Sequence, residues 1–327
     1  MAGAITDIDG ILVGHAQDEA RVTGVTVLLF PHGATAGADI RGEAAGTRQM
    51  DSLVRRHPAR RLDALVFAGG SAFGLDAATG VVRYLEERGV GFPTSGGTVP
   101  IVPTAILYDL AYARGRRRPD AEMGYRAAAA AASRPPARGS AGAGTGATVG
   151  KALGMERAMK GGFGTASESG GGTVAGACAV VNAFGDVVDP ATGEWIAGAR
   201  AADSDDAADT ESLFRSGFRR EPFVEGNTTL GVVATADLLS REELWTVARM
   251  AHAAFCRTIR PVHTPVDGDV VVAVSTGTSG RRGNVLQVAA LGTRALEASI
   301  LDGVRSATGT AEVPAAAERK GSREERP

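Results

Sequence analysis

The sequence predicts a layered α/β protein, with strands and helices that alternate only in part. Two observations carry this. Apolar runs of strand length, rich in Val, Ile and Leu, recur at residues 22–30, 62–67, 173–182, 229–236 and 269–274. Stretches with apolar residues at helical spacing follow some of these runs and not others. Incomplete alternation favours a layered sheet over a doubly wound one. With 327 residues, 44% of them hydrophobic, the chain can bury a large core as one big domain or two intimate ones.

Taken in order, residues 22–30 read as a strand. The run 62–67 ends in Gly69-Gly70-Ser71-Ala72-Phe73-Gly74. A helix follows to about residue 88, with Val81, Val82, Tyr84 and Leu85 on one face and Gly89 as its stop. Residues 98–110, rich in Val, Ile and Pro, read as a buried strand or loop that places Tyr108. Arg116, Arg117 and Arg118 open a solvated segment, and an Ala-rich helix covers about 121–132. Residues 150–172 are glycine-rich around Lys160, and 173–182 form a strand. An acidic, mobile loop is expected over 201–221, leading to Gly226-Asn227-Thr228-Thr229. Beyond it, 229–236 is a strand. Ser240 and Glu243 make a capping box for a helix carrying Leu244, Val247 and Ala248. A strand at 269–274 and a helix over about 284–305 complete the pattern. Residues 307–327, rich in Ala, Glu, Arg and Pro, read as a disordered tail. There is no internal repeat.

The formal charge of −2 argues against nucleic acid or a membrane surface as partner. No apolar run is long enough to span a bilayer, and the first residues lack the basic start and apolar core of a signal peptide, so a cytoplasmic protein is expected. Cys178 and Cys256 lie in apolar surroundings and read as buried free thiols. The five histidines show no metal-ligand spacing; His263 falls close to two aspartates, where a structural role is expected of it.

Several residues could carry chemistry. A cut between Asn227 and Thr228 would give Thr228 a free α-amine beside its own hydroxyl, so one residue would hold nucleophile and base. Such an amine has a pKa of about 7.7–8.0. Taken alone, the segment reads first as a turn into a strand, since such turns are common. Asp267 and Asp269 alternate at a strand start and can face one site. Lys160, embedded in glycines, suits close approach to a reacting group or a carboxylate. Asn182, at a strand end, could donate to a developing oxyanion. The Gly69–Gly74 turn has neither dinucleotide-binding nor nucleophile-elbow spacing and reads as tight sheet-to-helix packing.

Together, Gly24-Val25-Thr26, Asp39-Ile40-Arg41-Gly42, Gly69 to Leu75, Lys160 to Thr165, Gly226-Asn227-Thr228-Thr229 and Asp267-Gly268-Asp269 resemble the self-processing aminopeptidase family typified by DmpA, the L-aminopeptidase/D-amidase-esterase. That family includes β-peptidyl aminopeptidases and the nylon-oligomer (6-aminohexanoate) hydrolase. The resemblance implies an αββα sandwich over residues 1–306, self-cleaved into an α chain (1–227) and a β chain (228–327). It implies Thr228 as nucleophile, Asp267 and Asp269 as the pair that orients it, Lys160 and Asn182 as active-site lysine and oxyanion donor, and Tyr108 as active-site tyrosine. It also implies a peptide, amide or ω-amino acid oligomer as substrate, no metal or organic cofactor, and a homo-oligomer, a tetramer of processed αβ protomers. Two other readings stay open: an acyltransferase of the ornithine-acetyltransferase type, whose Ala-Thr-Met-Leu sequence is absent, and a non-enzymatic nucleotide-binding protein built around residues 69–76.

Overall fold

The computed structural model describes residues 3–18, 20, 22–53, 57–115, 117–202, 204, 206–219 and 226–318. Arg116 of the basic run, parts of the acidic loop, Glu225 and the last nine residues of the expected tail lie outside the described residues.

Among the described residues, nine strands form one continuous sheet: β1 (Leu12–Gln17), β2 (Gly24–Gly42), β3 (Gly46–Arg48), β4 (Leu62–Ala68), β5 (Thr104–Ile106), β6 (Gly162–Gly170), β7 (Thr173–Asn182), β8 (Thr228–Thr235) and β9 (Gly268–Ser275). Their order is β6-β7-β8-β9-β2-β4-β5-β3, with β1 on β2. The 19-residue β2 makes two layers out of this sheet. Its first half pairs with β1 and β4, its second half with β9. Between the halves the pairing with β4 slips, from Leu29↔Ala64 to Ala34↔Leu62, and Gly33 takes φ +74°. A left-handed residue is what lets the strand bend there at no steric cost.

Alternation along the strands then builds three apolar layers. Leu28, Phe30, Leu65 and Phe67 from one half meet Cys178, Val180, Leu230, Val232, Val270, Val272 and Val274 from the other. The opposite faces are covered by helices. Val25, Val27, Ala64 and Val66 pack against α1 (Ala77–Glu86) and α2 (Ala121–Ala129). Val233, Val271 and Ala273 pack against α4 (Arg241–Thr258) and α5 (Val285–Arg305). The result is the expected αββα sandwich. Runs such as β9, with all eight residues buried, read as continuously apolar because both faces are covered.

The helix signals hold locally. The Ser240 hydroxyl accepts from Glu243 N–H while the Glu243 carboxylate accepts from Ser240 N–H at 2.7 Å, the reciprocal capping box. Asn284 caps α5 by accepting from Leu286 and Gln287 N–H at 3.0 and 3.1 Å. α1 stops at Glu86 and the chain reverses through Gly89 at φ +65°. α3 (Thr210–Arg215) interrupts the expected acidic loop.

Three expectations need correction. Residues 162–170, read as part of a glycine-rich stretch, form strand β6, paired along its length with β7. Cys256 is exposed; only Cys178 is buried. The expected tail is packed as far as Glu318. Ala315 is fully buried, and Pro314 O accepts the Lys160 backbone N–H at 2.9 Å. Small apolar residues within a polar composition are enough to dock a segment when a groove awaits them.

Candidate active site

The Asn227–Thr228 peptide lies at the start of β8, pinned to the start of the parallel strand β9. Asn227 N–H donates to Val266 O and Asn227 O accepts from Gly268 N–H, both at 2.8 Å. The Thr228 hydroxyl donates to the same Asn227 oxygen at 2.6 Å. One carbonyl thus receives two hydrogen bonds, one of them from the hydroxyl that would attack it. The sequence led an expected mobile loop up to this seam. Instead Asn227 and Thr228 are 1% and 2% exposed, because the seam is already a rung of the sheet.

The two aspartates meet beside this seam. Asp269 Oδ1 accepts the Thr229 N–H at 2.7 Å, and its Oδ2 lies 2.8 Å from His263 Nδ1. Asp267 is held by the Thr264 N–H at 2.9 Å and hydroxyl at 2.6 Å, with Phe184 N–H at 3.4 Å on its other oxygen. Burial, with the neighbouring Asp269 charge, pushes the Asp267 carboxyl up to about 6. Among the described residues neither carboxylate bonds Thr228 itself; Asp269 reaches the next backbone N–H.

Asn182 stands directly across from Thr228 in the β7–β8 register, and residues opposed in an antiparallel pair share a face. Its Oδ1 accepts from Thr148 N–H and from Lys151 Nζ, both at 3.0 Å, and its Nδ2 donates to Tyr108 O at 3.1 Å. Lys151 Nζ also donates to Asn182 O at 3.0 Å. The lysine in contact with Asn182 is therefore Lys151, 3% exposed, which sequence reading passed over. Its signal was weak: a lysine after Gly150 in a glycine-rich run, less conspicuous than Lys160. Tyr108 joins the site by its carbonyl, and its Cβ lies 3.6 Å from the position a Cβ on Gly226 would take.

Lys160 is fully buried in a neighbouring cluster. Its Nζ donates to Thr145 O at 2.7 Å and sits 4.2 Å from the Tyr112 ring centroid. Burial pulls its ammonium down to about 7, against the attraction of Asp109. Asp109, pushed up to about 6 by burial, accepts from Thr23 Oγ1 at 2.6 Å and from Gly70 N–H at 2.7 Å. The Gly69–Gly74 turn is thus filled by protein: a Cβ on Gly69 would fall 2.1 Å from Asp109 Oδ2. It packs sheet against helix, as its spacing predicts, and offers no cradle for a phosphate.

A cleft of about 380 Å³ lined by Ala111, Tyr112, Met155, Glu156, Glu312 and Val313 borders the site through Met155, whose Sδ is 3.9 Å from Thr148 Oγ1. That volume is within the usual range for a small-molecule site.

The fold is that of the Ntn hydrolases. It superposes on the L-aminopeptidase D-Ala-esterase/amidase of Ochrobactrum anthropi, described as a variant of the Ntn hydrolase fold, with TM-score 0.68, 20% identity, and coverage of 97% of this chain and 92% of that one. A Burkholderia sp. β-aminopeptidase gives TM-score 0.67 at 20% identity, over 96% and 90%. The chain belongs to peptidase family S58, whose family model matches residues 3–317. It is 44% identical over 291 residues to an uncharacterized aminopeptidase of Mycobacterium tuberculosis, covering 84% of this chain and 81% of that protein. It is 32% identical over 273 residues to the 6-aminohexanoate-oligomer endohydrolase of Agromyces sp., covering 83% and 74%. The protein is a hydrolase of peptide or amide bonds, and neither the acyltransferase nor the nucleotide-binding reading is favoured. No helix among the described residues is long and apolar enough to cross a membrane.

Proposed function

We propose that the chain is a self-processing amide hydrolase whose nucleophile is Thr228, released by cleavage after Asn227. The observation that carries this is the Thr228 hydroxyl, 2.6 Å from the Asn227 carbonyl oxygen, which Gly268 N–H also binds. In the first stage Thr228 Oγ attacks the Asn227 carbonyl carbon. Negative charge grows on the oxygen where the Gly268 N–H already points, the arrangement that stabilises an oxyanion. The C–N bond breaks as the nitrogen takes up a proton, giving an ester and a free α-amine. Water then hydrolyses the ester and leaves Asn227 as a carboxylic acid.

In the second stage the amine of Thr228 takes its hydroxyl proton as Oγ attacks a substrate amide, then returns it to the leaving amine. Water releases the acyl group. An amide NH₂ has two hydrogens; one of those on Asn182 is engaged by Tyr108 O, and the other serves the oxyanion on the face shared with Thr228. Lys151, and not the expected Lys160, is the lysine that fixes Asn182. Asp267 and Asp269 place negative charge beside the amine and favour its protonated form as the proton passes. The substrates are small peptides, amides or ω-amino acid oligomers. Residues 1–306, with the docked segment that follows as far as Glu318, act as one domain of two chains, in a cytoplasmic homo-oligomer, a tetramer of processed αβ protomers.

Denaturing electrophoresis with intact-mass analysis tests this. The purified protein should give fragments corresponding to 1–227 and 228–327. Thr228→Ala should give one uncut, inactive chain. Active protein that remains full length would refute the mechanism.

A further inference from the structure

We propose that His263 is a positioning residue for amide hydrolysis: its imidazole and the Thr229 N–H each hold one oxygen of Asp269, fixing that carboxylate beside Thr228. The inference rests on Thr228 being the nucleophile.

Asp269 is 1% exposed, so solvent does not compete for it. Its Oδ1 takes the backbone N–H of the residue following the nucleophile at 2.7 Å, and its Oδ2 faces His263 Nδ1 at 2.8 Å. Held at both oxygens, the carboxylate has neither rotational freedom nor a choice of partner. The proton on the ring can be assigned. Among the described residues, no group partners the buried His263 Nε2, so a proton there would be a stranded donor. On Nδ1 it donates to Asp269.

The remaining surroundings of the ring leave this bond undisturbed. On α4, His252 lies edge-on with ring centroids 4.9 Å apart, and the Phe255 ring is at 6.1 Å. Burial pulls His252 down to about 3, so it is a neutral wall. Behind it, on β2, the Asp39 carbonyl lies 3.2 Å from His252 Nε2, and the Asp39 carboxylate pairs with Arg41 at 3.0 Å. Asp267 adds its charge on the side of Asp269. His263 itself takes φ +56°, a left-handed conformation uncommon outside glycine, which asparagine, aspartate and histidine adopt more readily than other residues.

His263→Ala and His263→Asn test the role, with Thr228→Ala alongside. Asparagine tolerates the left-handed backbone and carries an amide N–H near the place of Nδ1. On processed protein with an amide substrate, His263→Ala should lower kcat about 10- to 100-fold, as loss of a hydrogen bond to a charged group does. KM should stay within about threefold, and His263→Asn should recover most of the rate. If His263→Ala stays uncut, the same comparison is read on self-cleavage, and restored cutting in His263→Asn supports the role. The proposal is overturned if His263→Ala keeps kcat within about twofold of the parent, or if His263→Asn, equally stable to heat, is as impaired as alanine. Activity in Thr228→Ala would overturn the nucleophile assignment instead.

Discussion

Lys151→Met separates the two lysines. Lys151 donates two hydrogen bonds of 3.0 Å, to the backbone oxygen and the side-chain oxygen of Asn182. Methionine keeps much of the stem and its packing but removes the charge. A hydrogen bond to a charged group contributes about 1.5–3 kcal/mol, so losing both costs roughly 3–6 kcal/mol if they add. Part is recovered because Thr148 N–H still holds Asn182 Oδ1 at 3.0 Å. The effect on rate follows from Asn182. An oxyanion donor that loses its orientation costs about 100- to 1,000-fold in kcat. Lys160→Met removes instead an ammonium whose hydrogen bond goes to Thr145 O, and should leave kcat within about threefold. The assay is self-cleavage on denaturing gels, then amide hydrolysis by whatever fraction is processed. If Lys151→Met is cut and turns over normally while Lys160→Met is dead, the placement of Lys151 as the working lysine is wrong.

Other expectations follow from the buried charges. Asp267, pushed up to about 6, becomes protonated below that pH, so kcat/KM of the processed enzyme, already falling as the Thr228 amine protonates below about 7.7–8.0, should fall more steeply below about pH 6. A slope unchanged down to about pH 5 would exclude a required Asp267 carboxylate. Lys160 gives a stability prediction of defined sign. Its folded pKa, about 7, lies below the ordinary 10.5, so between these values the unfolded chain binds the extra proton. Stability therefore rises with pH across that window, by up to about 1.4 kcal/mol per pH unit from this one group, and is lost as pH falls from 10.5 towards 7. Denaturant unfolding of wild type and Lys160→Met should show the difference in slope; parallel curves would contradict it. Thr228→Ala, besides staying uncut, should melt as one full-length chain.

Much of the layout was legible because its causes are local. Strand-length apolar runs, as in β7, β8 and β9, require both faces to be covered, and that predicts buried strands whatever lies around them. Ser240 with Glu243, Asn284 and Gly89 set helix ends through bonds that reach at most four residues. β6 escaped because Gly162-Phe163-Gly164-Thr165 has too few side chains to show alternation; it is a strand because β7 pairs with it. The bend of β2 escaped for a related reason. Only the competing partners β4 and β9 make one strand serve two layers.

For the site, the sequence alone determined the kinds of groups and some of their neighbours: an Asn-Thr step at the head of an apolar strand, two carboxylates alternating before another, an asparagine closing a third. Tertiary structure decided which of them meet. Asn182 faces Thr228 because of a register between strands 46 positions apart, Lys151 rather than Lys160 reaches Asn182, and His263 finds Asp269. A side chain's type fixes what it can donate or accept. Which partner lies within hydrogen-bonding distance is set by strand register and packing, and these are properties of the whole fold.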